Sequence, residues 1–387
     1  MGPTLIVLLC LTMFANTFSI GAFPALLPEL GSVVGLSDWQ LGTLAGAFGF
    51  ARMLADIPVG LFITHHLRWA LLGAPLLLAA GVLTLASGGS FPVLLLGRAL
   101  LGVAHATGIV AALTAVLRYS AGWRLGSALN AVEFSAMLGI LGGTVVLGLL
   151  PTRFAWNTAL LLACAPQLIG ILVAPLLFRA LPATPAGPDA PLFARRATRQ
   201  DAGEHAGSTP RILLAFAAGG AVAVAYSTVE QFAIPLRGSR EFGLDRAGVA
   251  RLLMLTQLSD IVALLPVGVL SDRRGAAPVL VLILYTMALA TALVGFGGLP
   301  LLTVGCGLFG LAMAGWMLPL SVLRGETSPD QVAWRTALYR VIVDAGLFLG
   351  PFASGLLGTY QVGLLPGACA VALAAVGTLL LGRQRVG

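Results

Sequence analysis

Long apolar segments, separated by short polar loops, run the whole length of the chain. Twelve of them are close to the length that an α-helix needs to cross a bilayer, about 20 residues. We number these segments spans 1 to 12 and predict that each is a transmembrane helix. Their approximate limits are 5–27, 38–62, 70–88, 92–117, 126–149, 155–178, 211–235, 246–270, 276–297, 299–322, 336–358 and 361–382.

One long stretch departs from this apolar pattern. Residues 179–210 are rich in proline, alanine, arginine and aspartate, a composition typical of a linker. We therefore predict an N-terminal six-helix half (1–178), a cytoplasmic linker (179–210) and a C-terminal six-helix half (211–387).

The two halves repeat one another in sequence. Residues 57–60 (IPVG) align with residues 265–268 (LPVG), and Trp123-Arg124 aligns with Trp334-Arg335. Two six-helix halves in parallel relation are a known design of secondary transporters. The polar residues before spans 2 and 8, Ser37 and Asp245, are predicted N-caps.

The composition indicates that lipid is the main solvent of the chain. It is 58% hydrophobic and 10% charged, whereas a soluble chain carries roughly 25% charged residues. The net charge of +7 comes from arginines spread one or two to a loop, with no lysine, a pattern that argues against nucleic-acid binding. The cysteines lie singly in apolar segments, and no metal or disulfide spacing is present.

The arginines also predict the orientation. Most of them lie in the loops and tail on the side of the two termini, whereas Arg153, Arg237, Arg240 and Arg246 lie on the other side. By the positive-inside rule both termini are cytoplasmic. We expect a multi-pass protein of a bacterial inner membrane, and we interpret the first apolar run as a retained span rather than a signal peptide.

Charged residues are distributed unevenly among the spans. Spans 3, 6, 9 and 12 carry none, and each of the remaining spans except the first and the tenth carries at least one. A charge inside a bilayer costs at least a few kcal/mol. We therefore predict that the bare helices face lipid and that the charged helices enclose a polar path.

Two motifs resemble those of the major facilitator superfamily. Four residues at the end of span 8 have the spacing GxxxDRxG: Gly268, Asp272, Arg273 and Gly275. Span 4 carries Arg98 four residues before Gly102, which is similar to the span-4 signature of that family. The resemblance covers essentially the whole chain. It implies an all-α membrane protein with twelve transmembrane helices in two parallel-related halves, alternating access by rocking of the halves, and a cavity lined by helices 1, 4, 7 and 10.

Two positions depart from the family pattern of drug/proton antiporters. The glycine-proline motif usually found in span 5 lacks its proline here, whereas a similar GxxxGP sequence, residues 346–351, lies in span 11. In the loop after span 2, Gly60 is followed by Thr64 and His65 where aspartate and arginine are expected.

Three acids inside spans are candidate proton carriers: Glu133, Asp260 and Asp344. An unpaired acid in a low dielectric takes up a proton more readily than one in water. A fixed ion pair with a nearby arginine is the alternative. At the cytoplasmic end of span 8, Asp272 and Arg273 are candidate gating residues that lock the halves together, Asp272 near the positive N-terminus of span 5. An ordinary charged loop is the alternative there.

Polar and aromatic groups in the remaining cavity helices are candidate substrate contacts. They are Asn16, Arg98, His105, Tyr226, Glu230, Gln231, Gln257, Trp316 and Tyr339. Arg98 is also a candidate structural anchor and His105 a candidate structural histidine.

Two spacings predict a pair of ion pairs between the halves. Span 2 carries Arg52 and Asp56, and span 11 carries Arg340 and Asp344. Residues four apart share a helix face. Because the two spans run in opposite directions, Arg52 falls opposite Asp344 and Asp56 opposite Arg340. We predict that these crossed pairs form a gate that closes the cytoplasmic path and separates when the transporter opens inward; pairing within each helix is the alternative.

The chain has no Walker loop, HExxH or GxSxG sequence, so we expect neither an enzyme nor an ATP-driven pump, and no cofactor or metal. We predict a proton-coupled secondary active transporter of a small polar organic solute, with protons and the bilayer as its other partners, acting as a monomer. Buried acids outnumber buried arginines, which favours a cationic or zwitterionic solute. An efflux transporter or uniporter for amphipathic compounds, and a transport-inactive membrane receptor, are the alternatives.

Overall fold

The computed structural model describes residues 3–119, 125–181, 209–327, 331–358 and 363–384. Within these ranges every regular element is helical, and no strand occurs. The structure has the predicted fold class: an all-α membrane protein with two six-span halves.

The helices of the N-terminal half follow the predicted spans closely. Span 1 consists of two helices, Pro3–Asn16 and Phe18–Val34, and spans 2 and 3 share the helix Asp38–Ser87. Span 4 is Phe91–Tyr119 and span 5 is Leu125–Leu149. Span 6 consists of Trp156–Cys164, the 3₁₀ turn Ala165–Gln167 and Leu168–Ala180.

The C-terminal half contains the same number of spans. Span 7 consists of Thr209–Thr228, the π-helical segment Val229–Ala233 and Ile234–Arg240. Span 8 is Arg246–Arg274, span 9 is Ala276–Phe296, span 11 is Val332–Leu357 and span 12 is Leu364–Gln384. Span 10 consists of Leu299–Met313 and Leu318–Gly325. The helices thus extend slightly into the predicted linker, and residues 182–208 lie outside the described ranges.

Spans 2 and 3 follow one another without a loop. A kink at His66, whose φ and ψ of −125° and 35° are not helical, divides the segment Asp38–Ser87 into the two predicted helices. The described ranges contain 11 helical stretches long enough to cross a membrane, and this one has the length of two spans. The sequence between Gly60 and Gly73 has no glycine or proline, so the kink occurs without either of these residues. The equivalent turn between spans 8 and 9 does end at a glycine, Gly275, with φ of 86°.

Four spans are interrupted near the middle. Span 1 breaks at Thr17, span 6 contains the 3₁₀ turn Ala165–Gln167, span 7 contains the π-helical segment, and span 10 unwinds over residues 314–317. In spans 7 and 10 a proline follows the interruption, Pro235 and Pro319 respectively. Because proline has no N–H, it cannot donate the helical hydrogen bond to the preceding turn. Interrupted helices of this kind mark binding sites in transporters.

Within the described ranges, hydrophobic packing joins the two halves at one face of the bundle. Because the spans alternate in direction, both ends of the chain lie on the same face, which we call the terminal face; the opposite one is the distal face. One hydrophobic cluster joins the C-terminal half to the distal portions of the N-terminal half. A separate cluster is confined to the terminal portions of the N-terminal half. The fold therefore holds the halves together at the distal face.

Both predicted N-caps are present at this face. Ser37 begins span 2 in a capping box with Gln40, and the carboxylate of Asp245 accepts a hydrogen bond from the Gly248 amide at 2.8 Å. These caps satisfy the free N–H groups at the starts of spans 2 and 8, the two helices that enter the interface between the halves.

Candidate transport site

The crossed ion pairs predicted from the spacing are present. Arg52 Nη2 lies 3.1 Å from Asp344 Oδ1, and Arg340 Nη2 lies 3.1 Å from Asp56 Oδ2. Arg340 Nε also donates a hydrogen bond to Asp56 Oδ2, whereas the contact between Arg52 and Asp344 lacks hydrogen-bond geometry. At about 1.5 Å per residue, the pairs lie about 12–21 Å from the terminal ends of spans 2 and 11.

The crossed pairs lie between the distal and terminal faces. Among the described residues, no hydrogen bond or ion pair joins the halves on the terminal side of Asp56 and Arg340. Within the described ranges, the crossed pairs are therefore the polar contacts between the halves that lie nearest the terminal face. That they form a gate, which separates when the transporter opens inward, stays a prediction.

Two further ion pairs close the distal face, and the sequence analysis missed them. Arg246 Nη2 lies 2.6 Å from Glu29 Oε2, and Arg240 Nη1 lies 2.8 Å from Asp38 Oδ1. Arg246 also donates to the carbonyl of Phe154 at 2.8 Å.

Glycines allow spans 2 and 11 to approach closely at the distal end. A Cβ at Gly42 would lie 2.3 Å from the carbonyl oxygen of Pro351 and 2.8 Å from the Cα of Gly355. A Cβ at Gly46 would lie 2.7 Å from the carbonyl oxygen of Phe348. Small residues at such contacts let two membrane helices pack backbone to backbone. This packing continues along both helices as far as the crossed pairs.

Two of the three candidate proton carriers have no ion-pair partner. Glu133 on span 5 and Asp260 on span 8 are partly buried, and neither forms a salt bridge with any described residue. The Oδ1 atom of Asp260 is buried without a hydrogen-bond partner. Spans 5 and 8, which carry these two acids, pack against each other across the interface between the halves. Asp344, in contrast, is held beside Arg52.

Glu230 lies in the π-helical segment of span 7 and is buried. Its Oε1 accepts a hydrogen bond from Gln257 Nε2 on span 8 at 3.1 Å. The amide of Ile234 donates to the carbonyl of Val229, five residues earlier, which inserts one extra residue into the turn. This insertion re-aims Glu230 and Gln231, and such π-bulges often occur at functional sites.

Aromatic residues of spans 7 and 10 lie beside this acid. The rings of Tyr226 and Trp316 meet edge to face with centroids 5.8 Å apart. Gln231 Nε2 donates to the Tyr226 hydroxyl at 3.4 Å. Trp316 lies within the unwound residues of span 10, so an interruption again coincides with a candidate contact.

In the N-terminal half, Asn16 and His105 contact each other. Asn16 Nδ2 lies 3.2 Å from His105 Nδ1, which links the break in span 1 to span 4. The closeness of span 1 to span 4 depends on Gly108, where a Cβ would lie 2.7 Å from the Asn16 amide. The His105 ring also packs 5.4 Å from the ring of Phe48.

Arg98 is buried without an acid partner among the described residues. Its guanidinium lies 3.7 Å from the centre of the Phe23 ring and donates to the carbonyls of Leu44 and Ala45 at 3.4 and 3.3 Å. These contacts tie span 4 to spans 1 and 2, which favours the anchoring role that the sequence left open. A cation over an aromatic face contributes about 2 kcal/mol when desolvated.

The remaining candidates lie apart from this region. Tyr339 is buried against Gly219, between spans 11 and 7. Asp272 and Arg273 are exposed at the terminal end of span 8. The residues that precede span 5, on which the predicted lock depends, lie outside the described ranges. Among the described residues, no cluster of histidine, cysteine or acidic side chains could hold a metal ion.

Comparison with known proteins identifies relatives over the whole fold. The sequence model of the Major Facilitator Superfamily matches residues 9–244. A chloramphenicol resistance protein of Streptomyces lividans is 29% identical over 278 residues, 71% of this chain and 68% of that protein.

Solved structures of transporters share the fold at low identity. The nucleoside transporter NupG has a TM-score of 0.71 at 15% identity, covering 98% of this chain and 98% of that one. A POT family transporter in complex with 5-aminolevulinic acid has a TM-score of 0.78 at 12% identity, covering 98% and 96%. A bacterial homologue of the human lysosomal transporter Spinster, in an inward-facing conformation, has a TM-score of 0.72 at 16% identity, covering 98% and 95%.

Proposed function

The chain belongs to the Major Facilitator Superfamily, a family of transporters, and on that premise we propose that it is a proton-coupled secondary transporter of a small polar organic solute. It would work by alternating access in a bacterial inner membrane, as a monomer, with the terminal face in the cytoplasm. The observation that supports coupling best is that Glu133 and Asp260 form no salt bridge with any described residue. They lie on spans 5 and 8, which pack against each other across the interface between the halves.

The physical reason is the cost of an unpaired charge away from water. A buried carboxylate without a cation is stabilised by taking up a proton. When the halves rock, the exposure of Glu133 and Asp260 to the two sides of the membrane would change, so proton binding and release would follow the conformation. Asp344 is the weaker candidate because Arg52 already neutralises it.

Gating would use the two ends of the bundle in turn. In the structure the distal face is closed by the pairs of Glu29 with Arg246 and Asp38 with Arg240. Closure of the terminal face would use Asp272 and Arg273 at the end of span 8, as the family motif implies. The crossed pairs would hold spans 2 and 11 together near the middle of the membrane.

Export of amphipathic antibiotics is a second candidate function. It is favoured by one observation, the 29% identity to a chloramphenicol resistance protein over 71% of the chain. Coupling to protons would be the same, and only the solute and the direction would differ.

Flux in proteoliposomes, with and without a pH gradient, tests these proposals. Suitable probes are radiolabelled chloramphenicol, a nucleoside and a dipeptide, the compounds suggested by the relatives. We expect at least one probe to accumulate with the gradient, and chloramphenicol alone to do so if the second function is correct. Flux that is the same with and without the pH gradient would indicate a uniporter. If no probe is transported, the transport-inactive receptor explains the protein better.

Single substitutions then locate the proton site. Glu133→Gln or Asp260→Asn should reduce gradient-driven flux at least tenfold, while counterflow of a neutral solute, which needs no net proton movement, persists. Asp344→Asn should impair both by disturbing Arg52. Full gradient-driven flux in all three variants would contradict proton carriage by these acids.

A further inference from the structure

Two buried acceptor atoms near Glu230, on Gln257 and Asp260, receive no hydrogen bond. Gln257 is only 7% exposed, and while its Nε2 donates to Glu230 its Oε1 has no hydrogen-bond partner. Asp260 follows Gln257 by three residues, on the same side of span 8, and its buried Oδ1 also has no partner. Among the described residues, neither Glu230 nor Asp260 forms an ion pair.

The orientation of the Gln257 amide follows from the acid beside it. An ionised Glu230 can only accept, so the NH₂ group of Gln257 must face it, and the carbonyl oxygen must point elsewhere. A buried acceptor without a donor costs about 1–3 kcal/mol, and native proteins rarely leave one unexplained. Gln257 Oε1 and Asp260 Oδ1 are such acceptors, and Glu230 and Asp260 form no ion pair. A ligand that fits these groups has N–H donors and a positive charge.

An aromatic wall lies next to these acceptors. Tyr226 lies on the turn of span 7 that precedes Glu230. Its hydroxyl accepts a hydrogen bond from Gln231 Nε2 at 3.4 Å, and its ring meets that of Trp316. The faces of such rings attract cations and pack against apolar groups. Both Glu230 and Trp316 lie at interruptions of their helices, as binding residues of transporters commonly do.

We infer that Glu230, Gln257 and Asp260, with Tyr226 and Trp316, form a site for the protonated amine of a solute that also carries an aromatic or apolar group. This amine site rests on the proposed transport function, whose substrate class it specifies. The ammonium donates to Gln257 Oε1 and Asp260 Oδ1 and is neutralised by the two carboxylates. The apolar part of the solute packs against Tyr226 and Trp316. Arg98, in the N-terminal half, is a basic residue that interacts electrostatically with Tyr226. Its guanidinium is bound to carbonyl oxygens of span 2.

Matched probes test the amine site in the purified full-length protein. The probes are 4-phenylbutylamine, the neutral 4-phenylbutan-1-ol of nearly the same shape, and butylamine, which lacks the ring. Isothermal titration calorimetry at neutral pH should show the aromatic amine binding at least tenfold more tightly than the alcohol and more tightly than butylamine. Equal binding of amine and alcohol, or no binding of the amine, would overturn the inference.

Substitutions connect the binding to the named residues. Glu230→Gln and Asp260→Asn should each weaken amine binding by about tenfold or more, since a charge-assisted hydrogen bond is lost, and leave alcohol binding little changed. Asp260→Glu, which keeps the charge, should retain much of the affinity, and this guards against a loss caused by misfolding. The control is Glu241→Gln, at an acid paired with Arg237 near the distal face. Amine binding that is unchanged in both Glu230→Gln and Asp260→Asn would refute the site.

Failure of the site and failure of the proposed function give different results. Binding in detergent needs no gradient, so acid-dependent amine binding without any gradient-driven flux would overturn proton coupling alone. Gradient-driven flux of a neutral probe, which the aromatic amine neither inhibits nor competes with, would overturn the amine site alone.

Discussion

At the residue scale, the charges inside the bundle fall into two groups with different roles. Arg52, Asp56, Arg340 and Asp344 neutralise one another across the interface between the halves. Glu133, Glu230 and Asp260 form no salt bridge with any described residue. A paired charge holds helices together, whereas an unpaired acid remains available to a proton or a cationic solute.

Charge exchange tests the crossed pairs. Arg52→Asp places an acid opposite Asp344 and should reduce flux at least tenfold. Removing one partner of a buried ion pair leaves the other charge unpaired, which destabilises a protein by about 3–5 kcal/mol. Adding Asp344→Arg restores opposite charges in reversed order and should recover part of the flux. A double variant no better than the worse single one would mean that the pairing does not matter for transport.

The sequence allowed the crossed pairs to be predicted, because spacing and antiparallel direction determine which residues meet. It could not show which conformation holds them. The distal pairs were missed because the sequence does not show which residues meet where helices end. Arg240 ends span 7, and the buried Arg246 begins span 8. Nor could spacing reveal that Tyr339 packs against Gly219.

At the scale of elements, spans 2 and 11 form the longest contact between the halves. Glycines at positions 42 and 46 bring their backbones together at the distal end, and the crossed pairs end the contact near the middle. The hydrophobic pattern located both helices but could not show this close approach, since a glycine in an apolar segment has no signal of its own.

A larger side chain at this contact should hold the distal face open. Gly42→Leu puts a side chain where even a Cβ meets the Pro351 carbonyl oxygen at 2.3 Å. We expect increased labelling of a distal-side cysteine at Phe348 by a membrane-impermeant maleimide, in a background without the native cysteines. Gly73→Leu, at a glycine with nothing within 4 Å of its Cβ position, is the control. Equal labelling in the two variants would argue against closure by these glycines.

The interruptions of spans 1, 7 and 10 were not predicted. Pro235 and Pro319 are visible in the sequence, but proline inside membrane helices is frequent and only sometimes breaks them. The structure shows that the interrupted turns carry candidate contacts, namely Asn16, Glu230, Gln231 and Trp316.

At the scale of the whole molecule, hydrophobic packing and ion pairs among the described residues join the halves at the distal face. Arg246 is central to this arrangement because it contacts both Glu29 and the Phe154 carbonyl from within the interface. The repeat in the sequence was sufficient to predict two halves and their relation, yet it is equally compatible with closure at either face.

Removing the charge of Arg246 should shift the molecule away from this state. In Arg246→Gln, spin labels at Ser90 and Gly298, exposed positions on the distal side of the two halves, should show a longer distance population by double electron–electron resonance. Arg251→Gln, on the exposed side of the same helix, serves as the control. Identical distance distributions in the two variants would show that the Arg246 contacts do not maintain closure.

Proton movement driven by solute is the most direct measure of the central claim, that unpaired acids couple transport to protons. The internal pH of proteoliposomes, followed with trapped pyranine, should change when the neutral solute identified by the flux assay is added without any imposed gradient. In the double variant Glu133→Gln/Asp260→Asn, the change should vanish while solute counterflow continues. Solute flux in the native protein with no accompanying change in internal pH would contradict the claim.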